Sequence, residues 1–161
     1  MKIFVTGDLH GEEGISRLSA KNWPVGRRLT KEDVVLVAGD FGLAFSGDKT
    51  ENHWLDWLEE KQWTTLFIDG NHENFPLLLS YPEEERFSGP VGVLRPSVLH
   101  LRKRGHIYTI GLKSGVSEAR PASIKTNVWK GGRGGPKRRR TRTRGSMRVR
   151  RFRVAGLLTL R

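Results

Sequence analysis

An α/β fold, with central parallel strands flanked by helices and followed by a disordered basic tail, is predicted by three observations. Lys2-Ile3-Phe4-Val5-Thr6, Val34-Val35-Leu36-Val37-Ala38 and Thr65-Leu66-Phe67-Ile68-Asp69 are short runs rich in β-branched and aromatic residues, as buried strands are. Each is followed by a glycine beside polar, ligand-type residues: Gly7-Asp8-Leu9-His10-Gly11, Gly39-Asp40 and Gly70-Asn71-His72-Glu73. The stretches between the runs carry helical spacing, and all such grammar stops near Leu112.

Composition divides the chain in two. The 161 residues give a net charge of +12. Residues 1–111 hold 13 Lys+Arg and 16 Asp+Glu, a net of −3, whereas residues 112–161 hold 16 Lys+Arg and one acid, Glu118, a net of +15. An ordinary, slightly acidic segment is therefore joined to a very basic one. There is no cysteine, which excludes a disulfide framework, a zinc ribbon and a thiol nucleophile. The N-terminus lacks the charged-then-apolar pattern of a signal peptide, and no apolar run approaches the roughly 20 residues that span a bilayer. The expectation is a cytoplasmic protein with no membrane partner.

Taken in order, Glu12 to Ala20 reads as a short helix that buries Ile15 and Leu18, and Lys21 to Gly26 as a loop. Thr30 to Asp33 resembles a capping turn before the second strand. Phe41 to Gly47 is expected as a loop over the strand ends. Thr50 to Gln62 reads as an amphipathic helix with a Trp54, Leu55, Leu58 stripe. His53 lies near the edge of that stripe and reads as a surface histidine. Asn74 caps a short helix through Leu79, with Pro76 in its first turn. Tyr81 to Glu85 reads as a polar loop. Val98 to Leu101 and His106 to Ile110 read as a hairpin with a basic turn, in which His100 and His106 are structural.

If the three strands are parallel neighbours, Asp8, His10, Asp40, Asn71 and His72 meet on one rim, where open α/β sheets bind ligands. That oxygen and nitrogen donor set suits Mn, Fe or Zn. Two such ions can neutralise a phosphoester and generate hydroxide near neutral pH. Asp8 and His10 can seat the first ion, Asp40 is placed to bridge, and Asn71 suits the second. His72 can act as general acid or stabilise transition-state charge. Glycines 7, 11, 39 and 70 allow close backbone approach.

The three motifs together resemble the first signatures of the calcineurin-like metallophosphoesterases, most closely the small bacterial and phage members, over residues 1–111. The resemblance implies an α/β sandwich, of which this chain holds part, and a phosphatase or phosphodiesterase using two divalent metal ions, Mn first and Fe or Zn as alternatives. It implies that Asp8 and His10 bind the first ion, Asp40 bridges, Asn71 binds the second and His72 is the catalytic histidine. Family members also carry later Gly-His and Gly-His-x-His signatures, but no histidine follows His106 here. The first ion is thus short of one ligand and the second of two, which implies an impaired enzyme.

The competing reading is a nucleic-acid-binding protein acting through non-specific charge in the Lys137-Arg138-Arg139-Arg140-Thr141-Arg142-Thr143-Arg144 block. It lacks interleaved aromatic residues and any groove-binding motif. The abrupt change near Leu112–Ser114 instead predicts an out-of-frame tail. Permitted codons for Trp129 to Arg138, read two bases later, give EGRAWWPEE, and the preceding stretch allows CFGGAPGIDKDERL. Trp129-Lys130 forces a glutamate in that frame whatever the codon choice.

Overall fold

The computed structural model describes residues 1–102, 106–110, 122–125 and 158–160. Three adjacent parallel strands lie inside a seven-stranded sheet: β1 (Ile3–Thr6), β2 (Val34–Ala38) and β3 (Thr64–Ile68). β2 lies between the other two, pairing Ile3 with Val34 on one side and Val34 with Thr64 on the other. Their continuous apolar runs follow from burial on both faces. Phe4, Val35, Val37 and Phe67 enter one core with Ile15, Leu18, Leu55 and Leu58, while Ile3, Val34, Leu36 and Leu66 enter a second core.

The first helix α1 (Glu12–Ile15) passes into a 3₁₀ turn at Ser16–Leu18, and Ile15 and Leu18 are buried as expected. The loop expected at Lys21 to Gly26 carries a second 3₁₀ turn, Pro24–Arg28. The Thr30–Asp33 turn closes through the Thr30 amide on the Asp33 carboxylate, at 3.0 Å. The next helix, α2, spans Lys49–Glu59, with Asp48 as its cap and His53 exposed on its surface. Asn74 caps α3 (Phe75–Ser80) by accepting from the Leu77 amide.

Two expectations are overturned. Tyr81 to Glu85 is not a loop throughout: β4 (Glu83–Arg86) pairs antiparallel with β5 (Gly89–Arg95). Its glutamates have poor strand propensity, but β4 is an edge strand and they stay in water. The Val98 and Ile107 segments also do not form a hairpin with each other. β6 (Val98–Leu101) joins the large sheet between β5 and β3, whereas β7 (Ile107–Ile110) pairs with β8 (Ala122–Lys125) in a second sheet. Both segments alternate in the same way, and β6 is claimed by the parallel ladder to β3. Residues 103–105, the expected basic turn, lie outside the described residues.

Phe41, Leu43 and Ala44, expected only in a loop over the rim, are fully buried core residues. Most of the 112–161 segment, including its Arg-rich block, lies outside the described residues. Within it, β8 makes the second sheet and β9 (Leu158–Leu160) pairs antiparallel with β1.

Candidate metal centre

The loops that leave β1 and β2 run side by side. The Asp8, His10 and Gly11 amides donate to the carbonyls of Gly39, Asp40 and Phe41, at 3.2, 2.9 and 3.0 Å. This lacing puts one donor atom each from Asp8, His10 and Asp40 within 4.8 Å of one another. His10 Nε2 and Asp40 Oδ2 are 4.0 Å apart. All three residues are left-handed, with φ of 52°, 50° and 46°. Such backbone costs about 1–2 kcal/mol per non-glycine residue and persists only where its surroundings enforce it.

The third motif closes on the same carboxylate. Asp40 Oδ1 accepts the amides of Asn71 and His72, at 3.0 and 3.2 Å. Gly70 lies directly beneath Asp40, and a Cβ there would overlap its carboxylate and amide. The His72 ring stands edge-on to His10, 5.3 Å between centroids. Asp8, His10, Asn71 and His72 are exposed, and Asp40 is half-buried.

Two charged residues hold these loops. Arg17 donates to the carbonyls of Gly7 and Asp8, at 3.2 and 2.8 Å. Glu73, only 7% exposed, accepts the amides of Phe41 at 2.7 Å and Gly42 at 3.4 Å. Burial pushes the Glu73 carboxyl up to about 7, opposed by the amides of Phe41, Gly42 and Gly70 and reinforced by the charge of Asp40. In sequence both read as ordinary charges. Glu73 ends the third motif, but its Phe41 and Gly42 partners lie 32 and 31 residues away. Beneath the rim, His100 Nε2 meets Asp69 Oδ1 at 3.2 Å and its ring stacks on Phe67, in keeping with a structural histidine. His106 Nε2 lies 2.7 Å from the Ser88 carbonyl oxygen.

The Asp8, His10 and Asp40 donors form an oxygen and nitrogen set that fits a hard or borderline divalent ion. The calcineurin-like phosphoesterase family model matches residues 1–137, past residue 111 and through β8. The chain belongs to the calcineurin-like phosphoesterases, hydrolases that bind divalent metal ions and act on phosphoesters. Comparison with curated proteins and with solved structures finds no match. No helix among the described residues is long and apolar enough to cross a membrane.

Proposed function

We propose that the chain is a phosphatase or phosphodiesterase in which Asp8, His10, Asp40 and Asn71 hold two divalent ions and His72 is the catalytic histidine. Mn is the first candidate, with Fe or Zn as alternatives. The observation that carries the reading is the convergence of Asp8, His10 and Asp40 donors at the ends of adjacent parallel strands. When bound, such ions neutralise phosphate charge and supply hydroxide near neutral pH. The residues of the chain set the rest. Asp40 accepts the Asn71 and His72 amides and so ties the third motif to the first two. His72 lines the open side of the site, where its ring can hold a proton for the leaving oxygen. With no histidine after His106, we infer weaker metal binding and lower activity than in members with the later signatures.

Hydrolysis of aryl phosphates and bis-aryl phosphodiesters with and without Mn²⁺ tests this. Activity should require metal, fall by about 10²–10⁴-fold in His72→Ala and change little in His53→Ala. Loss at His53 with none at His72 would overturn the assignment. We also read residues 112–161 as a basic tail out of frame from near codon 113, which would remove the nucleic-acid reading of its charge. Resequencing codons 110–115 and the DNA beyond decides it: an early stop in the two-base-shifted frame, or the absence of later Gly-His signatures there, overturns it.

A further inference from the structure

A cavity of about 350 Å³ opens beside the metal centre and shares His10 and His72 with it. Its size is at the small end for ligand pockets, enough for one compact substituent rather than a polymer strand. Two aromatic rings, Phe45 and Trp54, line it. Phe45 is 59% exposed, yet its backbone is tightly held. The Glu51 carboxylate accepts the amides of Phe45, Ser46 and Gly47 at 2.7–3.2 Å, and Asn74 Nδ2 donates to the Phe45 carbonyl at 2.7 Å. An exposed ring on a pinned loop is presented to a ligand at little ordering cost. Trp54 is braced edge-on by Trp57, 5.7 Å between centroids.

The remaining polar wall is acidic. Glu12 and Glu13 line it and are exposed, and Asp48 and Glu51 add charge although the Asp48 carboxylate caps the helix and the Glu51 carboxylate accepts the loop amides. No lysine or arginine lines the cavity among the described residues. Sites that grip a second phosphate present arginine or lysine to it. This wall does the reverse.

Resting on the hydrolase reading above, we propose that the cavity seats the organic substituent of the ester. It takes an aromatic ring, neutral or cationic, and disfavours a substituent carrying a further phosphate or carboxylate. Phe45 and Trp54 supply ring contacts, which a positive charge on the substituent strengthens. Glu12 and Glu13 set the charge preference.

Unreactive phosphonates test this on the full chain with Mn²⁺, by calorimetry and without turnover. Benzylphosphonate should bind about 3- to 10-fold more tightly than methylphosphonate. 4-(Aminomethyl)benzylphosphonate should bind at least about tenfold more tightly than 4-carboxybenzylphosphonate. Phe45→Ala should remove the benzyl advantage and leave methylphosphonate unchanged, with Phe45→Leu retaining part of it. The double change Glu12→Gln, Glu13→Gln should reduce the cation-over-anion ratio below about threefold. A benzyl advantage that survives Phe45→Ala overturns the proposal, as does a carboxylate bound as tightly as the amine. A Phe45-dependent dimer in sedimentation would assign the ring to a second copy and overturn it too. Failure of methylphosphonate itself to bind overturns the hydrolase reading, and the proposal with it.

Discussion

Left-handed backbone at residues other than glycine occurs in two places among the described residues, for opposite reasons. One is the rim, at Asp8, His10 and Asp40; the other is Phe87 and Ser88, with φ of 56° and 63°. Arg86 pairs with Gly89, so Phe87 and Ser88 are the two-residue connection of the β4–β5 hairpin. Positive φ at both positions is what a connection matching strand twist requires. There the geometry of the fold demands the strain, and any residue that tolerates it would serve. At the rim it falls on the three residues whose donor atoms converge, and the surroundings supply the restraint. The restraint is of opposite sign in the two loops: a guanidinium donates to the carbonyls around Asp8, and a buried carboxylate accepts the amides after Asp40. Strain at a turn is thus a property of the chain path, whereas strain at the rim is tied to particular side chains.

The sharpest way to break the comparison is to relieve strain at the rim itself. Asp40→Gly removes the left-handed cost, yet it also removes a metal-ligand candidate and the acceptor of the Asn71 and His72 amides. Mn²⁺ affinity should fall by more than about 10²-fold in calorimetry, since loss of a supporting residue alone costs about 10–100-fold. Heats equal to those of the unaltered protein would remove Asp40 from the site.

The next effect is at the buried clamp. Glu73→Ala strands the Phe41 amide in the core and should destabilise the metal-free protein by about 1–3 kcal/mol in urea unfolding. It should also weaken Mn²⁺ binding by about 10–100-fold, as a residue supporting a ligand loop does. An unchanged affinity would show that the loop keeps its shape without the carboxylate.

Arg17→Ala should act more mildly, because its partners are solvated. Mn²⁺ affinity should drop by about tenfold or less, with the unfolding midpoint nearly unmoved. A larger loss than at Glu73 would reverse the ranking of the two clamps.

The smallest effect is expected at the hairpin, and it has the other sign. Ser88→Gly should stabilise the protein by about 0.5–1 kcal/mol and leave Mn²⁺ binding unchanged, because the strain there serves no ligand. Destabilisation would mean that the turn does not hold Ser88 in the left-handed region.

Much of the rim was legible in the amino-acid sequence. A strand buried on both faces spells a continuous apolar run, so β1, β2 and β3 announce themselves, and ligand-type residues straight after such runs fall at the strand ends. Local chemistry also sufficed for Asn74 as a helix cap and for the burial of Ile15 and Leu18. Only tertiary structure decided the rest, because it depends on groups that no local period connects. The β4–β5 hairpin lacks the Asn-Gly signal of its turn type, and its outer strand is written in glutamates. β6 alternates like half of a local hairpin but pairs with β3 and β5 across the large sheet. Phe41, Leu43 and Ala44 lie in a loop, as the sequence suggests, yet helix and sheet close over them and bury them in the core. Glu73 and Arg17 read as ordinary charges in sequence. They become clamps because folding brings one to the amides after Asp40 and the other to the carbonyls around Asp8, and such hydrogen bonds are chosen by three-dimensional proximity rather than by spacing along the chain.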